Sequence, residues 1–279
     1  MNKIGFVTCV ELGQACLSAL VDEGIQVDLV ITLPDQAAKA KSGRVYVDDF
    51  CNSHDIELLK SPNINDNAVI EAVQKHSIDW LFVIGWSQIV REELLNTPRL
   101  GVIGIHPTLL PQGRGRAAIP WAIIKGLKRT GVTMFKIDSG VDTGPILDQI
   151  EIALDENTTA TTLYEQVNES HETLIRRNAA RIMRGEIDAK VQDESLASEW
   201  PGRKPSDGDL TQCKTAEEAL RLVRATTHPY PGAFFEQDNQ RIIIWSAKLL
   251  PIGSAASEHS LAFEDGILSP IETTVDSNK

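Results

Sequence analysis

The first half of the chain is built from short apolar runs that have no polar face. IGFVTCV (4–10), VDLVITL (27–33), DWLFVIG (79–85) and VIGIH (102–106) carry mainly branched or aromatic side chains. A strand wetted on one face alternates apolar and polar residues, so runs of this kind must be buried on both faces. Between them lie segments with helical spacing, LGQACLSALVDEG (12–24), RVYVDDFCNSH (44–54) and NDNAVIEAVQKHSI (65–78), the last with Asn65 or Asp66 as N-cap. IELLK (56–60) reads as one more short strand. Such alternation predicts βαβ units and a sheet covered on both sides. The expected class is α/β, a Rossmann-like parallel-rich sheet with helices on both faces. Ligands of such sheets sit at the carboxyl ends of the strands, where strand order reverses.

Further on, AAIPWAIIKG (117–126) reads as a short helix with Pro120 in its first turn. TGVTMFKI (130–137) and PILDQIEIAL (145–154) read as strands joined by the tight loop DSGVDTG. A long amphipathic helix runs from Thr159 to about Arg184, carries Leu163, Val167, Leu174, Ile175 and Ile182 on its apolar stripe, and closes at Gly185. At EWPGRKPSDGD (199–209) prolines, glycines and mixed charges mark a linker. Beyond it come a short helix (TAEEALRLVRAT), a turn (HPYPGAF) and strands in RIIIWSAKLL and ILSPIETTV. The expected division is a larger domain over 1–198 and a small, mainly β, OB-like domain over 199–279.

Acidic residues outnumber basic ones 39 to 27, a net charge of -12. Binding to a phosphate backbone requires clustered Lys and Arg, so this balance argues against nucleic acid as the partner. No run approaches the roughly 20 apolar residues of a membrane span. The N-terminus MNKIGFVTCV has no signal-peptide layout, which makes the cytoplasm the default location. Cys9, Cys16, Cys51 and Cys213 form no C-x-x-C pair and read as free thiols of a reducing compartment. After the first strand the chain reads TCVELGQA, neither a dinucleotide nor a nucleoside-triphosphate fingerprint. Metal-binding helix motifs and the G-x-S-x-G elbow are missing too, so no metal is expected.

What remains is GVIGIHPTLLPQGRGR (101–116) together with the DSGVDTG loop. A histidine at the carboxyl end of a strand, such as His106, can accept a proton in a cleft. A carboxylate such as Asp142 can orient its imidazole and stabilise the charged form. From the residues alone, His106 is equally a strand cap and Asp142 equally a turn residue.

HPTLLPQGRGRAAIPWAIIKG, followed by TGVTMFKIDSGVDTGPIL, resembles the core of the 10-formyltetrahydrofolate-dependent formyltransferases. The tail segments GRKPSDG and LVRATTHPYPGAF resemble the second-domain signature of the methionyl-tRNA and sugar-amine formyltransferases. The resemblance covers roughly residues 1 to 250. It implies an enzyme that moves a formyl group from N10-formyltetrahydrofolate to a primary amine, with tetrahydrofolate released; the oligomeric state is left open, with a homodimer as one alternative. The family's His falls on His106 and its Asp on Asp142. The family's Asn falls on Gly104, where this chain departs. Losing one oxyanion donor costs on the order of 10²–10³ in rate where nothing replaces it. Restoring an amide at Gly104 is therefore expected to raise activity if the family geometry is kept.

By the same resemblance the folate lies against Trp86, Ser87, Gln88 and Ile89 on one loop and Asp138, Ser139, Gly140 and Val141 on another. The acceptor approaches past Thr108, Arg114, Gly115 and Arg116, with Thr108 expected to alternate with His106 along an extended strand. The acidic charge and the short tail favour a small acceptor, an amino sugar carried on a nucleotide. Methionyl-tRNA is the alternative, as is a folate-binding relative left with little turnover by Gly104.

Overall fold

A computed structural model describes residues 2–38 and 43–277. In chain order the first elements are β1 (Ile4–Val7), α1 (Glu11–Asp22), β2 (Leu29–Thr32), α2 (Asp48–Ser53), β3 (Glu57–Lys60), α3 (Asn67–Lys75), β4 (Trp80–Val83), α4 (Glu92–Leu95) and β5 (Gly101–His106). They are followed by β6 (Arg114–Gly115), α5 (Ala118–Ile124), β7 (Arg129–Ile137), β8 (Ile146–Ala153) and α6 (Ala160–Arg184). The remainder holds β9 (Glu199–Trp200), α7 (Ala216–Thr226), β10 (Ala233–Gln237), β11 (Gln240–Leu250), β12 (Leu261–Phe263) and β13 (Gly266–Ser277). The chain packs as two compact units. One comprises Met1–Arg114, Gly131–Glu151 and Asn168–Ser198, the other Gly115–Thr130, Ile152–Val167 and Glu199–Lys279.

A seven-stranded sheet in the order β3-β2-β1-β4-β5-β7-β8 organises the first unit. β3, β2, β1, β4 and β5 are parallel, while β7 runs antiparallel to β5. The expected parallel-rich α/β sheet is present. Period 2 sorts its side chains. Val7, Leu29, Ile31, Leu81, Val83 and Val102 form one buried cluster with Val69, Ile70 and Val73 of α3 and Leu94 of α4. Phe6 and Phe82, one position off, turn to the opposite face and stack at 6.0 Å. Each such side chain, fully buried, contributes about 1.5–3 kcal/mol. Strand order reverses between β1 and β4, which puts the loops after these strands at the crevice.

Asp79 ties the opposite end of the sheet together. Its Oδ2 accepts the Lys3 N–H at 2.8 Å and its Oδ1 accepts Arg99 Nε–H at 2.5 Å. Burial works against the carboxylate, but Arg99 and the Lys3 amide hold its pKa below the usual value. A depressed carboxyl pKa stabilises above the unfolded value, and the gain is lost as pH falls through the folded one. Asp79→Asn should therefore lower stability by about 1–3 kcal/mol near neutrality, a difference that closes in acid. Urea melts at neutral and acidic pH check this, and a pH-independent gap would contradict it.

The second sheet is antiparallel with four strands in the order β10-β11-β13-β12, and no fifth strand joins it among the described residues. Ala219, Leu222 and Val223 of α7, at helical spacing, pack on Ala233, Phe235, Ile242, Ile244 and Leu268, at strand spacing. Thr215 caps α7 by accepting the Glu218 N–H at 3.1 Å.

Several local expectations are corrected. The strand expected over 4–10 stops at Val7, because α1 opens at Glu11. The helix expected over 44–54 is reduced to α2, since Arg44 bridges to Val10 and its guanidinium holds the Cys9 and Leu33 carbonyls and Thr32 Oγ1. The linker expected over 199–209 contains β9 and a 3-10 turn, Pro205–Gly208. Burial pushes the Cys51 and Cys213 thiols up to about 11. No helix among the described residues is long and apolar enough to cross a membrane.

Candidate active site

His106 is the last residue of β5 and is 8% exposed. β5 runs parallel to β4 with Gly104 opposite Val83, so the loop after β4 leaves from the same carboxyl edge. The imidazole is held on both sides. Nε2 lies 2.8 Å from the Gly113 carbonyl, and Nδ1 lies 3.5 Å from Asp142 Oδ2. A carbonyl can only accept, so Nε2 carries a proton and Nδ1 is the nitrogen that faces the carboxylate.

Asp142 reaches this position through the turn between β7 and β8. Asp138 Oδ1 accepts the Gly140 N–H at 3.1 Å and the Thr143 hydroxyl at 2.6 Å, closing the turn from inside. Asp142 then takes a left-handed backbone, φ 54°, which Asp tolerates better than most residues. Local turn chemistry thus delivers a carboxylate to a histidine 36 positions away.

The Gly113 carbonyl is aimed just as deliberately. Gly113 has φ 72°, a conformation that favours glycine. Its N–H donates to Ser198 Oγ at 3.0 Å, and the Arg114 N–H, on the same peptide as the Gly113 carbonyl, donates to the Ser198 carbonyl at 2.9 Å. Arg114 is 4% exposed and turns inward. Its Nε and Nη2 donate to Gln192 Oε1 at 3.2 and 2.8 Å, and it forms a two-pronged pair with Glu194 at 2.9 and 2.6 Å. This pairing holds the Glu194 carboxyl below its ordinary pKa. All three of these Arg114 donor nitrogens thus point at its own chain and hold 114 to the 192–194 segment.

The other expected site residues divide. Thr108 does not continue an extended strand, because its N–H turns back onto the His106 carbonyl at 2.9 Å. Its hydroxyl is buried without a hydrogen-bond partner. Arg116 is exposed, and Gly115 sits in β6. Gln88 is taken up by the segment between β3 and α3, donating to the Pro62 carbonyl and accepting from the Ile64 N–H, each at 2.8 Å. Trp86 and Ile137, at the bases of the two expected folate loops, pack against one core cluster. Ile89 and Val141 are 76% and 58% exposed, and Ser87, Ser139 and Gly140 are exposed beside them. Two exposed apolar side chains on loops at this edge suit an aromatic ligand. Gly104 is tightly enclosed. A Cβ there would lie 2.9 Å from Ile137 Cδ1, 3.0 Å from its Cγ1 and 3.3 Å from Phe135 Cε1.

The formyl transferase model matches residues 6–178, and that of the formyl transferase C-terminal domain matches 203–273. The chain belongs to the formyl transferase family. Members of this family transfer one-carbon groups, and the sheet edge around His106 falls within the matched segment. A methionyl-tRNA formyltransferase of Clostridioides difficile is 30% identical to this formyl transferase over 250 residues, 89% of this chain and 81% of the relative. Two solved structures share the fold. An N-formyltransferase from Helicobacter canadensis, in complex with folinic acid and dTDP-3-aminofucose, has a TM-score of 0.71 at 19% identity and covers 97% of this chain and 99% of its own. The methionyl-tRNA formyltransferase of Clostridium thermocellum has a TM-score of 0.62 at 16% identity, with both chains fully covered. Sequence reasoning passed over Gly113, Gln192 and Ser198 in this formyl transferase. Only the glycine carried a signal, in QGRG; the other two lie in a polar stretch with no motif.

Proposed function

We propose that this chain transfers a formyl group from N10-formyltetrahydrofolate to the primary amine of a small acceptor, an amino sugar linked to a nucleoside diphosphate. The observation that carries the reading is the His106–Asp142 pair at the sheet's carboxyl edge in a formyl transferase. The exposed Ile89 and Val141 flank that edge and fit a folate ring system. The bound donor supplies an electrophilic formyl carbon and a nitrogen that needs a proton as it leaves. With Nε2–H committed to Gly113, Nδ1 of neutral His106 takes the proton that the attacking amine must shed. Asp142 stabilises the imidazolium so formed, and Nδ1–H then returns the proton to the departing nitrogen. The protons balance, and His106 ends neutral. Charge developing on the formyl oxygen is met by a main-chain N–H or by the imidazolium, since Gly104 brings no amide.

The chemistry is assigned to 1–198, with 199–279 as an OB-like accessory domain, in a cytoplasmic homodimer. A net charge of -12 favours the small acceptor over tRNA, and the solved sugar enzyme supports the same choice. The 30% identity to methionyl-tRNA formyltransferases supports the second reading. Formyl transfer assayed in parallel on nucleotide-linked amino sugars and on methionyl-tRNA decides. Turnover of the sugar amine alone is expected. Turnover of the tRNA alone would establish the second reading, and folate binding without transfer to either would point to a binding protein.

A further inference from the structure

The segment 190–198 runs across both loops that hold the imidazole. At its start Lys190 and Ile146 exchange two backbone hydrogen bonds, 2.8 and 2.7 Å, at the beginning of β8. At its end Ser198 binds the 111–114 loop three times, through its N–H to the Pro111 carbonyl, its hydroxyl to the Gly113 N–H and its carbonyl to the Arg114 N–H. Between them sits Gln192, 5% exposed, with every polar atom of its side chain used. Oε1 accepts from Arg114 Nε and Nη2. Nε2 donates to the Asp142 carbonyl at 2.8 Å and to the Gly144 carbonyl at 2.7 Å.

The geometry points to Gln192 as a positioning residue for formyl transfer, one amide that fixes the Asp142 turn relative to the loop carrying Gly113. It touches neither His106 nor a reacting atom. Its oxygen grips Arg114, next to the peptide that meets Nε2, and its nitrogen grips the backbone of the residue that meets Nδ1. Both partners of the imidazole are thus referred to one buried side chain. The separation between the Asp142 carboxylate and Nδ1, 3.5 Å, is set through this link. A misplacement of about 1 Å at a reacting group can cost on the order of 10²-fold in rate. The assignment rests on His106 and Asp142 acting as proposed above.

Two variants separate this role from mere packing. Gln192→Leu removes both donors and the acceptor. Gln192→Glu keeps the acceptor for Arg114, loses the donors, and sets a charge against two carbonyls, so it reads the same link should the first variant fold poorly. Each is expected to lower kcat about 10²-fold with donor and acceptor KM nearly unchanged. In an Asp142→Asn background the same substitutions should cost clearly less than in the parent, because the Asp142 half of what Gln192 positions is already lost. Losses that multiply, or a rise in KM at constant kcat, would overturn the assignment. A readout without turnover guards against error in the proposed reaction. In ¹⁵N spectra of the His106 ring, Gln192→Leu and Gln192→Glu should move the Nδ1 signal in the direction that Asp142→Asn moves it. An unmoved Nδ1 signal in a folded variant would refute the link even in a protein that formylates no amine tested.

Discussion

His106→Ala is expected to lower formyl transfer by about 10²–10⁴-fold while folate binding stays nearly intact. Nδ1, facing Asp142 at 3.5 Å, is the ring nitrogen proposed to take the amine's proton, because Nε2–H is spent on the Gly113 carbonyl at 2.8 Å. The same substitution leaves that carbonyl without its partner, a loss of about 1–3 kcal/mol for a buried group, so a drop in Tm is expected as well. His106→Gln separates the two effects. Its amide can still donate to Gly113, but it cannot carry a proton between substrates. Single-turnover transfer and thermal melts on both variants should show stability partly rescued in the glutamine variant and activity lost in both. Near-normal turnover in either would make His106 a structural residue.

The second large effect concerns Gly104. Read from sequence, an amide at this position should raise activity. The structure reverses the sign for the single change. A side chain at 104 must enter space held by Ile137, whose Cγ1 would lie 3.0 Å from the new Cβ. Ile137 is packed against the cluster of Val7, Val83 and Val102, so making room disturbs that packing. Overpacking of this kind costs about 1–3 kcal/mol. Gly104→Asn alone should therefore lower both Tm and transfer. Gly104→Asn combined with Ile137→Ala should recover both, with kcat at or above that of the parent. A single variant that is faster and equally stable would show that the pocket yields. A double variant as impaired as the single one would show that space is not what forbids the amide.

Much of the architecture was legible because it rests on local patterns. The runs at 4–10, 27–33 and 79–85 are apolar on both faces, and burial on both faces is available in a parallel sheet and in little else. The helix from Thr159 was legible to within a residue, because its stripe repeats over 25 residues before Gly185 breaks it. β10 and β12 were missed for the converse reason. They are short edge strands, and their register comes from pairing with β11 and β13. The clue for β10 was the dipeptide Asp238–Asn239, both with positive φ, which turns the chain into β11.

The sequence by itself determined the residue types at the site and the turns that present them. A histidine ends a buried strand, a Gly-bearing loop follows it, and an Asp-Ser-Gly turn fixes its own backbone through Asp138. These are local matters of φ, ψ and short hydrogen bonds, and the order of residues settles them. Tertiary structure decided what each group faces. Asp142 meets Nδ1 and Gly113 meets Nε2, and 190–198 is hydrogen-bonded to both of their loops. Arg114 turns onto Gln192 and Glu194, and Ile137 and Phe135 fill the space beside Gly104. Contacts of this kind join residues as far apart as Arg114 and Glu194 or Gly113 and Ser198, and no local pattern encodes them. They follow from which surfaces the packed core brings together.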